Sequence, residues 1–360
     1  MSWYLIAGIL TIGTINTIIS KLQDRICIDN CESDNPIYFE QPLIQTLNMF
    51  IGESMCLIVY LIYEHQKPTE EENEPLIPIQ SRQAEAELQR GRRNIVFKNW
   101  KLILPTLCDV ISSTCMNIGL ILVSPSIFQT LRGSLIIFTA LISMIFLRKK
   151  YTIHQMIALF IIFSGISVVG TSGGNNSSDT IGICMILLAQ VFTATQYVLE
   201  EKILTTENSS VTPLLAVGLE GIFGIIIVLI VSPIYFVIMK VDPIKLFYQI
   251  ASNYLIWISF VVLIFTISII NYLGLTLTKN MSSVSRTTVD ACRILVVWIV
   301  SIIIGWEVFS LFQLLGFLIM LSGIYIYFST GGLSRPYEGI NPETLPSEGT
   351  LQPTPEEWSP

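Results

Sequence analysis

The sequence predicts an all-α polytopic membrane protein: ten transmembrane helices arranged as a 5+5 inverted repeat, with both termini cytosolic. Three observations carry that prediction. The 360 residues are 52% apolar and only 13% charged, with a mean hydropathy of +0.64, whereas soluble domains carry about 25% charge. Apolar stretches of about twenty residues recur along the chain, each long enough to cross a hydrocarbon core of about 30 Å. Finally, part of the second half repeats part of the first in an ungapped register.

The ten apolar cores run over Trp3–Ser20, Leu43–Tyr63, Lys101–Val123, Ser126–Leu147, Thr152–Gly170, Thr180–Leu199, Pro213–Met239, Tyr254–Thr278, Ser285–Ile304 and Phe309–Phe328. The first lacks a basic n-region and holds Thr11, Thr14, Asn16 and Thr17, so it reads as a retained helix rather than a cleaved signal. With the N-terminus in the cytosol, thirteen of the twenty lysines and arginines fall on the cytosolic side, four on the other side and three inside spans. This bias sets the orientation. The sequons at Asn175 and Asn176, glycosylation candidates, then lie on the non-cytosolic side, where such acceptors belong. Cys27 and Cys31 share that side, where a disulfide and two separate thiols are both open. Cys56, Cys108, Cys115, Cys184 and Cys292 fall inside spans as small apolar residues.

The internal repeat aligns residues 124–170 with 282–328 at a constant offset of 158. Thr130 meets Thr288, Ser143 meets Ser301, Gln155 meets Gln313, and Ser164-Gly165-Ile166 meets Ser322-Gly323-Ile324. Weaker echoes are Pro42-Leu43 with Pro213-Leu214, and Asn117-Ile-Gly119-Leu120 with Asn271-Tyr-Leu-Gly274-Leu275. Residues 1–170 form the first five-helix repeat, with a cytosolic loop over 64–100. Residues 180–328 form the second, and 329–360 a disordered tail rich in Pro, Glu and Thr. An odd number of spans per repeat inverts the second half, a plan common in secondary transporters with a site near the midplane.

Ionisable groups at membrane depth are costly and mark polar pathways. Seven stay there: Glu53, Asp109, Arg132, Glu220, Arg286, Asp290 and Arg293; Asn16, Asn117, Gln129, Gln190, Gln196 and Asn271 add neutral polar groups. Arg286, Asp290 and Arg293 stand at i, i+4 and i+7 on one helical face, so Asp290 can pair with either arginine. Arg132 aligns with Asp290 in the repeat. These charges either line a central site or pair with one another to fix helix packing. Glu53 and Glu220 occupy comparable helices of the two halves and are the proton-coupling candidates, because burial penalises a carboxylate's charged form. The alternative for both is a cavity-wall acid paired with an arginine. Pro105, one turn before Asp109, is expected to bend its helix. Glu200-Glu201-Lys202 reads as a charge cluster at the membrane edge, with a gate as the other option.

Seven motifs carry a resemblance: Gly13-Thr-Ile-Asn16-Thr, Phe50-Ile-Gly52-Glu53, Leu107-Cys-Asp109, Phe128-Gln129-Thr-Leu-Arg132-Gly133, Val198-Leu-Glu200-Glu201-Lys202, Ala216-Val-Gly218-Leu-Glu220-Gly221 and Leu315-Gly316-Phe317-Leu318-Ile319. On these the chain resembles the drug/metabolite transporter superfamily, and within it solute carrier family 35, subfamily F, of the member six type. Nucleotide-sugar and chloroquine-resistance-transporter-like carriers are related branches. The resemblance implies a carrier of small organic solutes in an endomembrane, with a central cavity where Asn16, Glu53, Asp109, Arg132, Glu220 and Asp290 fall.

The sequence reading is therefore a secondary transporter working by alternating access, with proton coupling left open. The alternative is an organelle-membrane interaction or scaffold protein. An enzyme is not expected: the two histidines, His65 and His154, lie in the loop and near a span edge, and no Walker loop or metal-ligand cluster stands in the sequence. No cofactor is expected. Expected partners are a small-molecule substrate and membrane lipids, with a homodimer left open. Nucleic acid is excluded, because the −7 net charge sits mainly in loop and tail and the scattered cations form no basic groove. Glu72, Leu76 and Ile77 fit an acidic-dileucine pattern read by sorting adaptors. It points to a lysosomal or endosomal membrane, with Golgi and mitochondrial membranes as alternatives.

Overall fold

The computed structural model describes residues 2–29, 37–39, 41–66, 99–123, 128, 131–171, 180–206, 211–239, 248, 250–251, 253–306 and 308–332. Ten helices occur among them, and each overlaps one of the apolar cores. They are α1 (Ser2–Asp24), α2 (Pro42–Gln66), α3 (Ile103–Leu122), α4 (Leu135–Phe146), α5 (Ile153–Thr171), α6 (Thr180–Thr205), α7 (Pro213–Met239), α8 (Tyr254–Asn280), α9 (Ser283–Ile304) and α10 (Leu311–Tyr327). Seven are long and apolar enough to cross a membrane; α4 and α5 belong to shorter apolar stretches, Leu131–Phe146 and Ile153–Val169. Helices dominate because lipid offers backbone groups no hydrogen-bond partners, so each segment must satisfy its own.

The ends of the helices have local causes. The Asn253 side chain accepts from Leu255 N at 3.0 Å to start α8, and Ser282 accepts from Ser285 N at 3.1 Å to start α9. Gly305, with φ of 82°, ends α9 in the left-handed region that glycine enters without a Cβ clash. Pro105 falls in the first turn of α3, directly after a short 3-10 turn over Trp100–Leu102. Its missing N–H removes little there, so the bend expected at Asp109 has no source. One strand pair joins this helical fold: β1 (Cys27–Asp29) runs antiparallel to β2 (Ile37–Tyr38). Cys27 is disulfide-bonded, and Cys31 lies outside the described residues. The hairpin docks on the start of α8, where Asn253 donates to Cys27 O at 3.4 Å and Phe39 meets Phe260 edge-on.

Helix pairing is dominated by α5 with α10, α3 with α6, α2 with α7 and α1 with α8. A second tier joins α2 with α8, α4 with α6, α1 with α9, α3 with α7, and α4 with α9. Between helices in lipid, small residues permit the close approach that drives association. At the α5–α10 crossing, a Cβ on Gly165 would meet Met320 N and Gly316 O, and one on Gly323 would meet Ile162 N and Ala158 O. On α7, Gly218 and Gly221 face the backbone of α2 at Leu57 and at Ser54 and Glu53, while Gly224 faces the ring of Phe50. Gly221→Ala is expected to cost about 1–3 kcal/mol by overpacking this contact. Melting of the purified protein checks it, and an unchanged melting temperature would refute the close approach.

Candidate functional site

Helix α9 organises the site. The Ser282 cap fixes its start, and Arg286, Asp290 and Arg293 then follow along one face. Asp290 and Arg293 border a cavity of about 130 Å³, while Arg286 sits one turn closer to the start of the helix.

The cavity lies among α1, α3, α4, α5, α6 and α9. Thr17 and Lys21 come from α1, Gln190, Thr193 and Tyr197 from α6, and Arg132 from the helical turn just before α4. The Arg293 guanidinium stands 3.8 Å from Asp290, and its side chain packs against Gly13, where a Cβ would lie 2.7 Å from Arg293 Cδ. Arg132 lies within electrostatic reach of both Arg293 and Asp290 and makes no ion pair among the described residues. Gln190 is fully buried; its amide donates to Met116 Sδ at 3.4 Å, and its Oε1 has no partner among the described residues. The lining therefore offers cationic donors, one carboxylate and hydroxyl and amide groups around a small space.

Beside it lies a second polar compartment, built of carboxylates from four helices. Glu53 of α2, Asp109 of α3, Glu200 of α6 and Glu220 of α7 lie within electrostatic reach of one another and of Arg286. Arg286 Nη1 donates to Glu200 Oε2 at 2.7 Å, and Gln196 Nε2 donates to Glu200 Oε1 at 2.9 Å. Asn271 Nδ2 donates to Glu53 Oε1 at 2.6 Å, and Ser113 Oγ to Asp109 Oδ1 at 3.3 Å. Glu220 is 6% exposed, and its Oε1 has no partner among the described residues. Tyr197 belongs to both compartments. Tyr197 lines the cavity, and the Arg286 guanidinium lies 3.9 Å from its ring centroid.

A third cluster closes the end beyond Arg286. Arg148, with φ of 53°, turns the chain after α4, and Lys149 then forms a buried ion pair with Glu201 of α6. The other Glu201 oxygen accepts from Ser283 N at 3.0 Å and Ser283 Oγ at 2.7 Å. Ser143 Oγ lies 3.2 Å from Ser283 Oγ. One carboxylate thus ties the α4–α5 connection, α6 and the start of α9. Burial pulls the Lys149 ammonium below its ordinary value, opposed by the Glu201 charge and hydrogen bond.

The structure brings Arg132, Asp290 and Arg293 together at the cavity, and Glu53, Asp109, Gln196, Glu220, Asn271 and Arg286 together beside it. Asn16 instead accepts from Thr266 Oγ1 at 2.9 Å and ties α1 to α8. Gln129, the Glu72, Leu76 and Ile77 pattern, and Asn175 and Asn176 lie outside the described residues. Sequence reasoning assigned no site role to Tyr197 or Lys149 and placed Glu200 and Glu201 at a membrane edge. Both glutamates are buried, because α6 runs on to Thr205 rather than ending near Leu199. The available signal was the spacing of Gln196 and Glu200 at i, i+4, followed by apolar Ile203 and Leu204.

A predominantly helical fold with apolar spans and a small polar cavity is the frame of a membrane protein, and the comparisons make it a membrane transporter of small solutes. The Triose-phosphate Transporter family matches residues 37–328, and the chain belongs to it. It is 31% identical over 354 residues to solute carrier family 35 member F6 of Homo sapiens, covering 93% of this chain and 90% of that protein. That places it with solute carrier family 35, subfamily F, within the drug/metabolite transporter superfamily. An uncharacterized protein of Schizosaccharomyces pombe is 33% identical over 89% of this chain and 95% of its own length. One solved crystal structure shares the fold, with a TM-score of 0.61 at 10% identity over 91% of this chain and 96% of that one.

Proposed function

We propose that the chain is a secondary carrier that moves a small anionic organic solute across an endomembrane by alternating access. The observation that carries the anion is Arg132, placed at the cavity beside Arg293 with no ion pair of its own among the described residues. Arginine presents a planar fork that matches carboxylate and phosphate oxygens. The free Gln190 acceptor and the Thr193 and Thr17 hydroxyls suit a solute that also carries hydroxyl groups.

Alternating access through two inverted five-helix halves is supported by the pairing pattern. Exchanging each helix with the one five positions away leaves the pairs α5–α10, α2–α7 and α4–α9 unchanged. The same exchange turns α3–α6 into α1–α8, α4–α6 into α1–α9 and α3–α7 into α2–α8, all of which occur. The α5–α10 glycine contacts obey it to the residue: Met320 and Gly316 are the 158-offset counterparts of Ile162 and Ala158. On the positive-inside orientation the Lys149–Glu201 closure is cytosolic, and the cavity leans toward the opposite side.

Uptake by the purified protein in liposomes, screened over phosphorylated and carboxylated metabolites with uncharged analogues as controls, tests the proposal. Saturable uptake of an anion and none of its uncharged analogue is expected; uptake confined to cations or neutral solutes would overturn it. Proton coupling is part of the same reading, because four carboxylates around one guanidinium are costly to keep fully charged away from water. Glu53→Gln and Glu220→Gln are each expected to weaken the response of uptake to an imposed pH gradient. An unaltered response in both variants removes coupling through these residues. The lysosomal or endosomal address is proposed from Glu72, Leu76 and Ile77, and redistribution of a fluorescent fusion after Leu76→Ala and Ile77→Ala tests it.

A further inference from the structure

Arg286 is held on three sides, by two residues of α6 and one of α8. Its Nη1 is paired with Glu200 at 2.7 Å. One face of its guanidinium lies 3.9 Å from the centroid of the Tyr197 ring. Against it packs Gly274 of α8, where an added Cβ would meet Arg286 Nε at 2.9 Å and Cζ at 3.0 Å. A flat cation fixed between an aromatic ring and bare backbone gains from stacking as well as from its charge.

The groups facing it differ in what could displace it. Glu53, Asp109, Glu200 and Glu220 converge on it from α2, α3, α6 and α7. Helix α8 contributes the Asn271 amide, bonded to Glu53, and Gly274. Its own helix carries Asp290 one turn on, which holds Arg293 only at 3.8 Å. Glu220 Oε1, buried and unpartnered among the described residues, points to a cluster whose polar groups are incompletely satisfied in this state. Tyr197 is shared, since the residue whose ring packs on Arg286 also lines the cavity.

We propose that Arg286 and Tyr197 are positioning residues forming a relay between the carboxylate cluster and the cavity. Arg286 stays paired with Glu200 while the cluster is charged and turns toward Asp290 when it gains protons, carrying the cavity wall at Tyr197 with it. This deepens the carrier reading by stating how occupancy of one compartment reaches the other. Arg286 has an alternative acid at i+4 on its own helix, so the exchange needs only a side-chain rotation of a kind helices accommodate. Tyr197 acts through its ring rather than its hydroxyl, because the ring faces the guanidinium.

Hydrogen exchange of the full-length protein in phosphatidylcholine nanodiscs, without solute, tests the relay. Rates are compared at pH 5.5 and 7.5 after correction for intrinsic exchange. In the wild type, peptides covering residues 190–199 and 287–297 are expected to exchange about fivefold faster at the lower pH, as local opening becomes easier. Glu200→Gln is expected to show the fast rate at both pH values. Tyr197→Phe is expected to keep the response and Tyr197→Leu to lose it. Should Glu200→Gln fail to fold, Arg286→Lys provides the same reading, since it keeps the charge, loses the plane and is expected to flatten the response. Equal corrected rates at both pH values in the wild type, or a full response in Tyr197→Leu, would overturn the relay. The readout contains no solute, so its failure and that of the uptake assay are distinguishable.

Discussion

Glu201→Ala is expected to lower stability by about 3–5 kcal/mol and to open the end of the molecule closed by Lys149. Removing one partner of a buried ion pair leaves the other charge uncompensated, and that is the large term. Lys149 is 7% exposed and Glu201 2%, so water cannot fully replace the lost partner. The same carboxylate also accepts both Ser283 bonds at the start of α9, so its loss also removes this tie between the start of α9 and α6. Glu201→Gln is expected to cost less, since the amide oxygen can still accept from Ser283. The double replacement of Lys149 and Glu201 by leucine is expected to recover much of the stability, because it removes both charges together. Melting of purified protein separates these outcomes; an Ala variant as stable as the wild type would show that the pair does not hold this end. For a carrier, the Glu201→Ala protein should also expose the Thr287 position, substituted by cysteine, to thiol reagents from the Lys149 side.

Arg132→Ala is expected to have the largest effect on solute recognition. Each hydrogen bond between a charged side chain and a solute is worth about 1.5–3 kcal/mol, which corresponds to a rise of about ten- to a hundredfold in the half-saturating concentration. Arg132→Lys keeps the charge and loses the planar fork, so it should fall between wild type and Ala. Folding should be retained, because Arg132 holds no ion pair among the described residues whose partner would be stranded. Lys202→Ala, at an exposed position on α6, is the control and should transport normally. Uptake by Arg132→Ala equal to wild type would remove this residue from the site.

Much of the membrane plan could be read before any coordinates. Apolar length located the helices among the described residues, seven of them long and apolar enough to cross a membrane, because lipid leaves a crossing segment few alternatives to α-helix. The spacing of Arg286, Asp290 and Arg293 put them on one face, because helical periodicity is a property of the local chain. The failures share one cause. Glu200 and Glu201 read as a membrane-edge cluster or a gate from sequence, because their burial depends on Arg286, Lys149 and Ser283, all distant in sequence. The spacing leaves Asp290 open to either arginine; it stands 3.8 Å from Arg293, while Arg286 pairs with Glu200 at 2.7 Å, a contact across 86 residues that no periodicity contains.

By itself the sequence determined that the chain is a helical membrane protein, which apolar segments carry ionisable residues, and which stretches align at the offset of 158. Those are local properties, fixed by hydropathy, helical period and register. Only the tertiary structure decided how the charges divide. Arg132, Asp290 and Arg293 went to the cavity, and Arg286 went to the carboxylates of four other helices. The reason is that an ion pair in a low-dielectric interior goes to whichever acid is brought closest by packing.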